Sequence, residues 1–141
     1  MSKERSQTEA RNLEVVQAGF EMWRNGTGGV FELLAATAQW TIVGNSVVSK
    51  TYESKQEFME KVILPFNARM SKQLVPRMRG LYADVDMVIA FFDASGTARD
   101  GEPYENTYTW YMRMRDGQIV EATAFFDSVE FNDFWTRVAP A

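Results

Sequence analysis

Neither cysteine nor histidine occurs anywhere in the 141 residues of this chain. Without cysteine there is no disulfide, no thiolate nucleophile, and no zinc or iron–sulfur thiolate site. Without histidine there is no Ser-His-Asp triad, no imidazole metal ligand, and the commonest general base is missing. Catalysis here would have to run on carboxylates, tyrosine, lysine, arginine or bound water, and neither a metal nor a cofactor is expected. Basic residues never cluster, and the formal net charge is −4. Nucleic acid is therefore not an expected partner, because neutralising phosphates needs grouped Lys and Arg. No apolar run approaches the roughly 20 residues that span a bilayer. The polar start MSKERSQTEAR has no signal-peptide stretch, so the expectation is a cytoplasmic protein away from membranes. A phosphate loop is missing too. Gly26-Thr27-Gly28-Gly29 lacks the lysine and the spacing of one, and reads as a helix-ending turn.

Aromatic residues are plentiful, 13% of a chain that is otherwise of ordinary globular composition and long enough for one domain with a real core. They gather in the stretch from Tyr104 to Asp127. Tyr104, Asn106, Tyr108, Trp110, Met112 and Met114 alternate with Glu105, Thr107, Thr109, Tyr111, Arg113 and Arg115. That period of two predicts a long strand with one aromatic face and one mostly polar face. Asp116-Gly117 turns it into a second strand. A three-residue loop Arg115-Asp116-Gly117, with Gly117 left-handed, would pair Met112 with Val120, Trp110 with Ala122, Tyr108 with Ala124 and Asn106 with Phe126. It would keep the apolar face apolar, whereas a one-residue slip would mix the faces. Large rings opposite alanines are either interdigitated packing or a hollow for a ligand.

The remainder reads as helices followed by strands. Residues 7–24 form a helix with Leu13, Val16, Phe20 and Trp23 on one face, capped by Ser6 or Thr8 and stopped at Asn25-Gly26. A short second helix is expected over about Val30 to Ala36, then a strand around Gln39–Val43. Ser54 with Glu57 is a capping box for a third helix, in which Phe58, Val62, Phe66 and Met70 step at spacing four and Pro65 forms a kink or break. Strands follow at Val75–Tyr82 and Asp86–Ala94, where MVIAFF is apolar on both faces, as in a central strand. Residues 95–103 read as a loop, and Ser128 as the cap of a last short helix. The class is α+β, with helices to one side of a curled sheet.

The segments WTIVGNS (40–46), TYESKQEFMEKV (51–62) and GTARDGEPYENTYTWYMRMRDGQIVEATAFFDSVEFNDFW (96–135) resemble the SnoaL-like branch of the NTF2-like, ketosteroid-isomerase-like superfamily. The resemblance covers nearly the whole chain and implies that residues 1–141 form a single domain. It implies a cone in which three N-terminal helices pack into a strongly curved antiparallel or mixed sheet, with a short C-terminal helix. It also implies a pocket lined by the helices and the inner sheet face, and a homodimer made through the outer face. The implied dimer surface is Thr107, Thr109, Tyr111, Thr123 and Phe125, with Glu105 and Arg113 nearer its rim. The fold hosts many activities, so function has to come from the site.

The active sites known in that superfamily do not carry over. Where ketosteroid isomerases place a tyrosine late in helix one, this chain has Gly19, followed by Phe20. Where they place a general base in the first strand, it has Trp40-Thr41-Ile42, and no carboxylate lies between Glu105 and Asp116 on the long strand. The acid of limonene-epoxide-hydrolase-like enzymes and polyketide cyclases corresponds to Ala124. What remains is a set of polar groups near a ring-lined hollow. Asn106 faces inward and must be hydrogen-bonded to protein, water or ligand. Tyr108 offers a hydroxyl to a carbonyl or enolate, or is a core tyrosine tied to backbone. Asp127 is an acid or a helix cap. Asp84 and Asp86 lie near the rim, and Arg77 and Arg79 face an anionic ligand or solvent. The expected ligand wall is Phe20, Trp23, Trp40, Phe58, Val62, Asn106, Tyr108, Trp110, Ala124 and Phe126. Two functions compete: a protein that binds a small apolar or aromatic metabolite, and an isomerase, dehydratase, cyclase or hydrolase type of enzyme acting on a small cyclic or polyketide-like substrate. A buried carboxylate in the cavity would favour the second, and a cavity with only amide and phenol groups the first.

Overall fold

The computed structural model describes residues 6–141. Residues 1–5 of the polar start lie outside the described residues. Helix α1 spans Gln7–Asn25. Ser6 accepts from the Glu9 amide while the Glu9 carboxylate accepts from the Ser6 amide, a full capping box. Gly26 ends the helix at φ 72°, a left-handed cap that glycine adopts without a Cβ penalty.

A single 3-10 turn, Val30–Leu33, stands where the second helix was expected, and strand β1 takes over at Leu34–Ile42. The β-sheet partner explains the difference: Leu34 pairs with Ile119, so tertiary pairing draws the Leu34–Ala36 stretch into the sheet. β2 is the short Thr51–Tyr52. Helix α2 covers residues 55–67 as three consecutive segments, α-helical Lys55–Phe58, π-helical Met59–Ile63 and α-helical Leu64–Asn67. Ser54 caps it as expected, but Glu57 reaches back to the Glu53 amide rather than to the cap itself. Pro65 does not break the helix. Its ring crowds the preceding turn and it has no N–H to donate there, and the widened π turn just before it absorbs both defects.

The strands β3 (Met70–Asp84), β4 (Met87–Ala98), β5 (Pro103–Arg115) and β6 (Gln118–Phe126) complete a six-stranded sheet of order β2-β1-β6-β5-β4-β3. All pairings are antiparallel except β1 with β6. β4 runs on to Ala98, so the expected loop shrinks to residues 99–102. Helix α3, Ser128–Arg137, closes the chain. Its cap is Asp127, whose carboxylate accepts from the Val129 amide, and not Ser128.

Curvature has a visible cause. The β3–β4 ladder shifts register three times and the β5–β6 ladder once, and each such irregularity bends its strand and adds twist. The β5–β6 irregularity corrects the expected hairpin. The loop is the two residues Asp116 (φ 50°) and Gly117 (φ 76°), both left-handed, with Arg115 opposite Gln118. Val120 is then left unpaired as a bulge, and beyond it Met112 faces Ala122, Trp110 faces Ala124 and Tyr108 faces Phe126. From Ala122 onward the partners differ from the expected ones by two residues, which leaves those side chains on the face assigned to them, whereas Ile119, expected opposite Arg113 on the polar face, faces Met114 and is fully buried. The bulge does the work expected of a longer turn. Rings and alanines alternate across the inner face: Trp110 stands between Ala90 of β4 and Ala124 of β6.

Candidate functional site

Between the helices and the inner face of the sheet lies a cavity of about 590 Å³, within the range of small-molecule sites. Four rings built from four elements form its body. Trp23 of α1 stacks parallel to Trp110 of β5 with centroids 6.0 Å apart, and Trp40 of β1 stacks on Phe58 of α2 at 4.5 Å. Phe31, from the 3-10 turn, meets both Trp40 and Phe58 edge-on. Such offset and edge-on contacts fix ring orientation as well as burying area. Met59, Val62 and Ile63, all from the π-helical segment, complete the α2 side. Exposed lining residues mark the mouth, among them Arg24, Asn25 and Glu32 on one side and Asn67, Gln73 and Val75 on the other. The Trp23 indole N–H donates to the Leu74 carbonyl at 2.7 Å, which ties the end of α1 to β3 across that opening.

Seven of the expected wall residues line this cavity: Trp23, Trp40, Phe58, Val62, Tyr108, Trp110 and Phe126. Three lie off it. Phe20 is core, packed edge-on against Phe92 with centroids 4.9 Å apart. Ala124 is buried beneath the Trp110 ring opposite, because a methyl group is too short to reach past an indole. Asn106 is turned away and fully occupied. Its Nδ2 donates to Tyr104 Oη at 2.9 Å and to the Asp127 carbonyl at 3.0 Å. Its Oδ1 accepts from the amides of Thr107 and Asp127. It pins β5 to the start of α3, and no capacity is left for a ligand.

Sequence reading missed Phe31, Ile42, Met59, Ile63, Phe66 and Phe131 on the wall. The signal for Phe66 was present in the spacing-four stripe of α2. Phe31 was hidden by the turn of 3-10 helix, which rotates it inward, and Met59 and Ile63 by the π turn, which departs from the 3.6-residue period.

The acids are elsewhere. Asp127 caps α3, and Asp86 pairs with Arg113 at 2.8 Å. Asp84 is exposed and off the wall. Asp93 accepts from Arg79, Thr107 and Arg77, which hold its carboxyl well below the usual range. Arg77 and Arg79 are thus spent on a surface ion pair beside an open polar groove, not on the cavity. Glu32 is the one acid lining the cavity among the described residues; it is exposed, and it accepts from the Gly29 amide at 2.8 Å. Among the described residues no three acids gather closely enough to hold a metal ion.

The inner end holds a pair of phenols. Tyr108 lines the cavity, and its Oη lies 2.8 Å from that of Tyr104, a fully buried residue. Burial pushes the Tyr104 hydroxyl up to about 12, although its hydrogen bonding with Tyr108 and Asn106 pulls the other way. Burial first, and then the neighbouring Tyr104, push Tyr108 well above the ordinary phenol value. Both are neutral at physiological pH. They can donate hydrogen bonds there but cannot act as bases.

The same cone recurs in solved structures. A SnoaL-like protein of polyketide-cyclase type from Jannaschia sp. CCS1 superposes with a TM-score of 0.75 at 16% identity, over 96% of this chain and 98% of that one. Bal32a, from a soil-derived mobile gene cassette, gives 0.75 at 16% identity over 92% and 99%. TerC, co-crystallized with polyporic acid, gives 0.70 at 17% identity over 89% and 98%. No protein-family model and no curated protein matches the sequence. At these identities the likeness establishes architecture, and in architecture the chain has the cone fold of SnoaL-like, NTF2-like proteins.

Proposed function

We propose that the protein is a cytoplasmic homodimer that binds a small, planar, largely apolar metabolite in the ring-lined cavity without converting it. The carrying observation is the distribution of polar groups. The walls are aromatic and aliphatic, the inner end carries the Tyr108 phenol, and the one lining carboxylate among the described residues, Glu32, is exposed at the mouth. General base catalysis needs a group of suitable pKa within hydrogen-bond reach of the substrate, and two phenols held neutral by burial do not supply it. TerC, a neighbour of the same fold, is co-crystallized with polyporic acid, which supports a ligand-binding use of the cone. Tyr108 also supports the second reading, an isomerase, dehydratase, cyclase or hydrolase type of enzyme, since a phenol can polarise a carbonyl. That reading lacks its proton acceptor.

The dimer reading rests on the outer face of β5 and β6. Tyr111 and Phe125 are exposed there and touch edge-on with centroids 5.8 Å apart, flanked by Thr107, Thr109 and Thr123. Aromatic groups ringed by hydroxyls suit a two-fold interface better than bulk water.

The test of the binding reading is to titrate the protein with a tricyclic aromatic ketone, follow the emission of its tryptophans, then denature the complex and identify the recovered compound by mass spectrometry. Saturable quenching with the compound returned unchanged is expected. Recovery of a converted product would replace the reading with the enzymatic one.

A further inference from the structure

The hydrogen bonds around Asn106 fix which way the two phenols point their protons, and this determines what the inner end of the cavity can recognise. Thr107 and Asp127 each direct a backbone N–H at the same side-chain atom of Asn106, so that atom must be the oxygen. The amide nitrogen then faces the Asp127 carbonyl and Tyr104 Oη, and donates to both. Tyr104 is therefore an acceptor toward Asn106. Its own proton needs an acceptor, and the remaining hydrogen-bond partner of this fully buried hydroxyl is Tyr108 Oη. Once Tyr108 accepts that proton, its own hydrogen has no acceptor on the protein among the described residues. Tyr108 is 6% exposed and lines the cavity. A buried donor left unmatched is costly, and the space open to it is the cavity.

From this relay, Asn106 to Tyr104 to Tyr108, we infer that the inner end of the cavity is a one-way donor that selects ligands bearing a neutral acceptor, a carbonyl oxygen above all, on a flat apolar body. The inference rests on the reading of the cavity as a binding site. Asn106 is a positioning residue in it: it touches no ligand, but it sets the direction of both protons. A ligand that brings only an N–H donor with no acceptor lone pair to this end would meet the Tyr108 hydrogen head-on. One that brings no polar group would leave that hydrogen unmatched.

Three tricyclic compounds of nearly one shape separate these cases: fluorenone presents only an acceptor, carbazole only a donor, and fluorene neither. Calorimetric titration of the wild-type protein should give fluorenone about five-fold tighter binding than fluorene, with carbazole weaker than both. Tyr108→Phe should reduce the fluorenone-to-fluorene ratio within that variant to about one. Tyr104→Phe keeps the ring but removes the proton that Tyr108 accepts, so Tyr108 can then turn either way, and the penalty against carbazole should disappear. Equal binding of all three by the wild type, or a fluorenone preference that survives in Tyr108→Phe, would overturn the inference while leaving the binding reading intact. If none of the three binds, the binding reading itself fails.

Discussion

The hydroxyls of Tyr104 and Tyr108 lie 2.8 Å apart on the buried face of β5. Four residues of strand separate their backbones by about 13 Å, so the two rings must lean toward each other over the shorter Asn106 between them. Burial raises the Tyr104 pKa from 10.0 to about 12 and moves Tyr108 in the same direction. A phenol whose pKa is raised by folding stabilises the native state fully below its unfolded value, and that contribution is lost as pH rises through the folded one. The Tyr104 contribution to stability should therefore be constant up to about pH 10, and stability should fall between about pH 10 and 12. In Tyr104→Phe the fall should be smaller, as read by urea unfolding at a series of pH values.

Asn106 should behave as a structural keystone rather than a ligand contact. Asn106→Leu leaves two backbone amides, a backbone carbonyl and the Tyr104 hydroxyl without their partner. Destabilisation by about 3 kcal/mol is expected from such a network. A loss below about 1 kcal/mol in chemical denaturation would show that water takes over these bonds.

Much of this was legible in the chain. Alternation from Tyr104 to Met114 gave the faces of β5 correctly, because one face is buried and a period of two admits no other assignment. Cap chemistry placed the start of α1 at Ser6 or Thr8 and its stop at Asn25-Gly26, and the structure has Ser6 and Gly26 as the caps. The pairing partners of β5 and β6 were not legible, since beyond Val120 a bulge keeps the same faces as a longer turn and alternation cannot distinguish the two; only before the bulge does Ile119 change face, to lie buried opposite Met114. Asn106 looked like a ligand contact because the sequence shows that an inward amide needs partners but not that the start of α3 supplies them. Phe31, Met59 and Ile63 stayed hidden because 3-10 and π turns depart from the period used to read helix faces.

The two tight hairpin turns give opposite expectations. Gly117 sits at φ 76°, and Gly117→Ala should cost about 1 kcal/mol. Val85 occupies φ 58°, a left-handed conformation that a β-branched side chain adopts only with strain, and it is 67% exposed with no packing to lose. Val85→Gly should raise stability by about 1 kcal/mol, read as an increased Tm.

The outer face of the hairpin should govern assembly. Phe125→Asp places a charge on the exposed ring pair of Tyr111 and Phe125 and should convert a dimer into a monomer in sedimentation at micromolar concentration, with the circular dichroism of the fold unchanged. A wild-type protein that is already monomeric under those conditions would remove this surface from the account.

The most direct test of the account fills the cavity. Val62 is buried in the wall opposite the sheet, on the π-helical segment, where a larger side chain must project into the hollow. Val62→Trp should leave a cooperatively folding protein and reduce its affinity for fluorenone at least ten-fold, as measured by titration calorimetry beside the wild type. Undiminished binding by a folded Val62→Trp protein would mean that the ligand sits elsewhere, and the cavity would then not be the binding site.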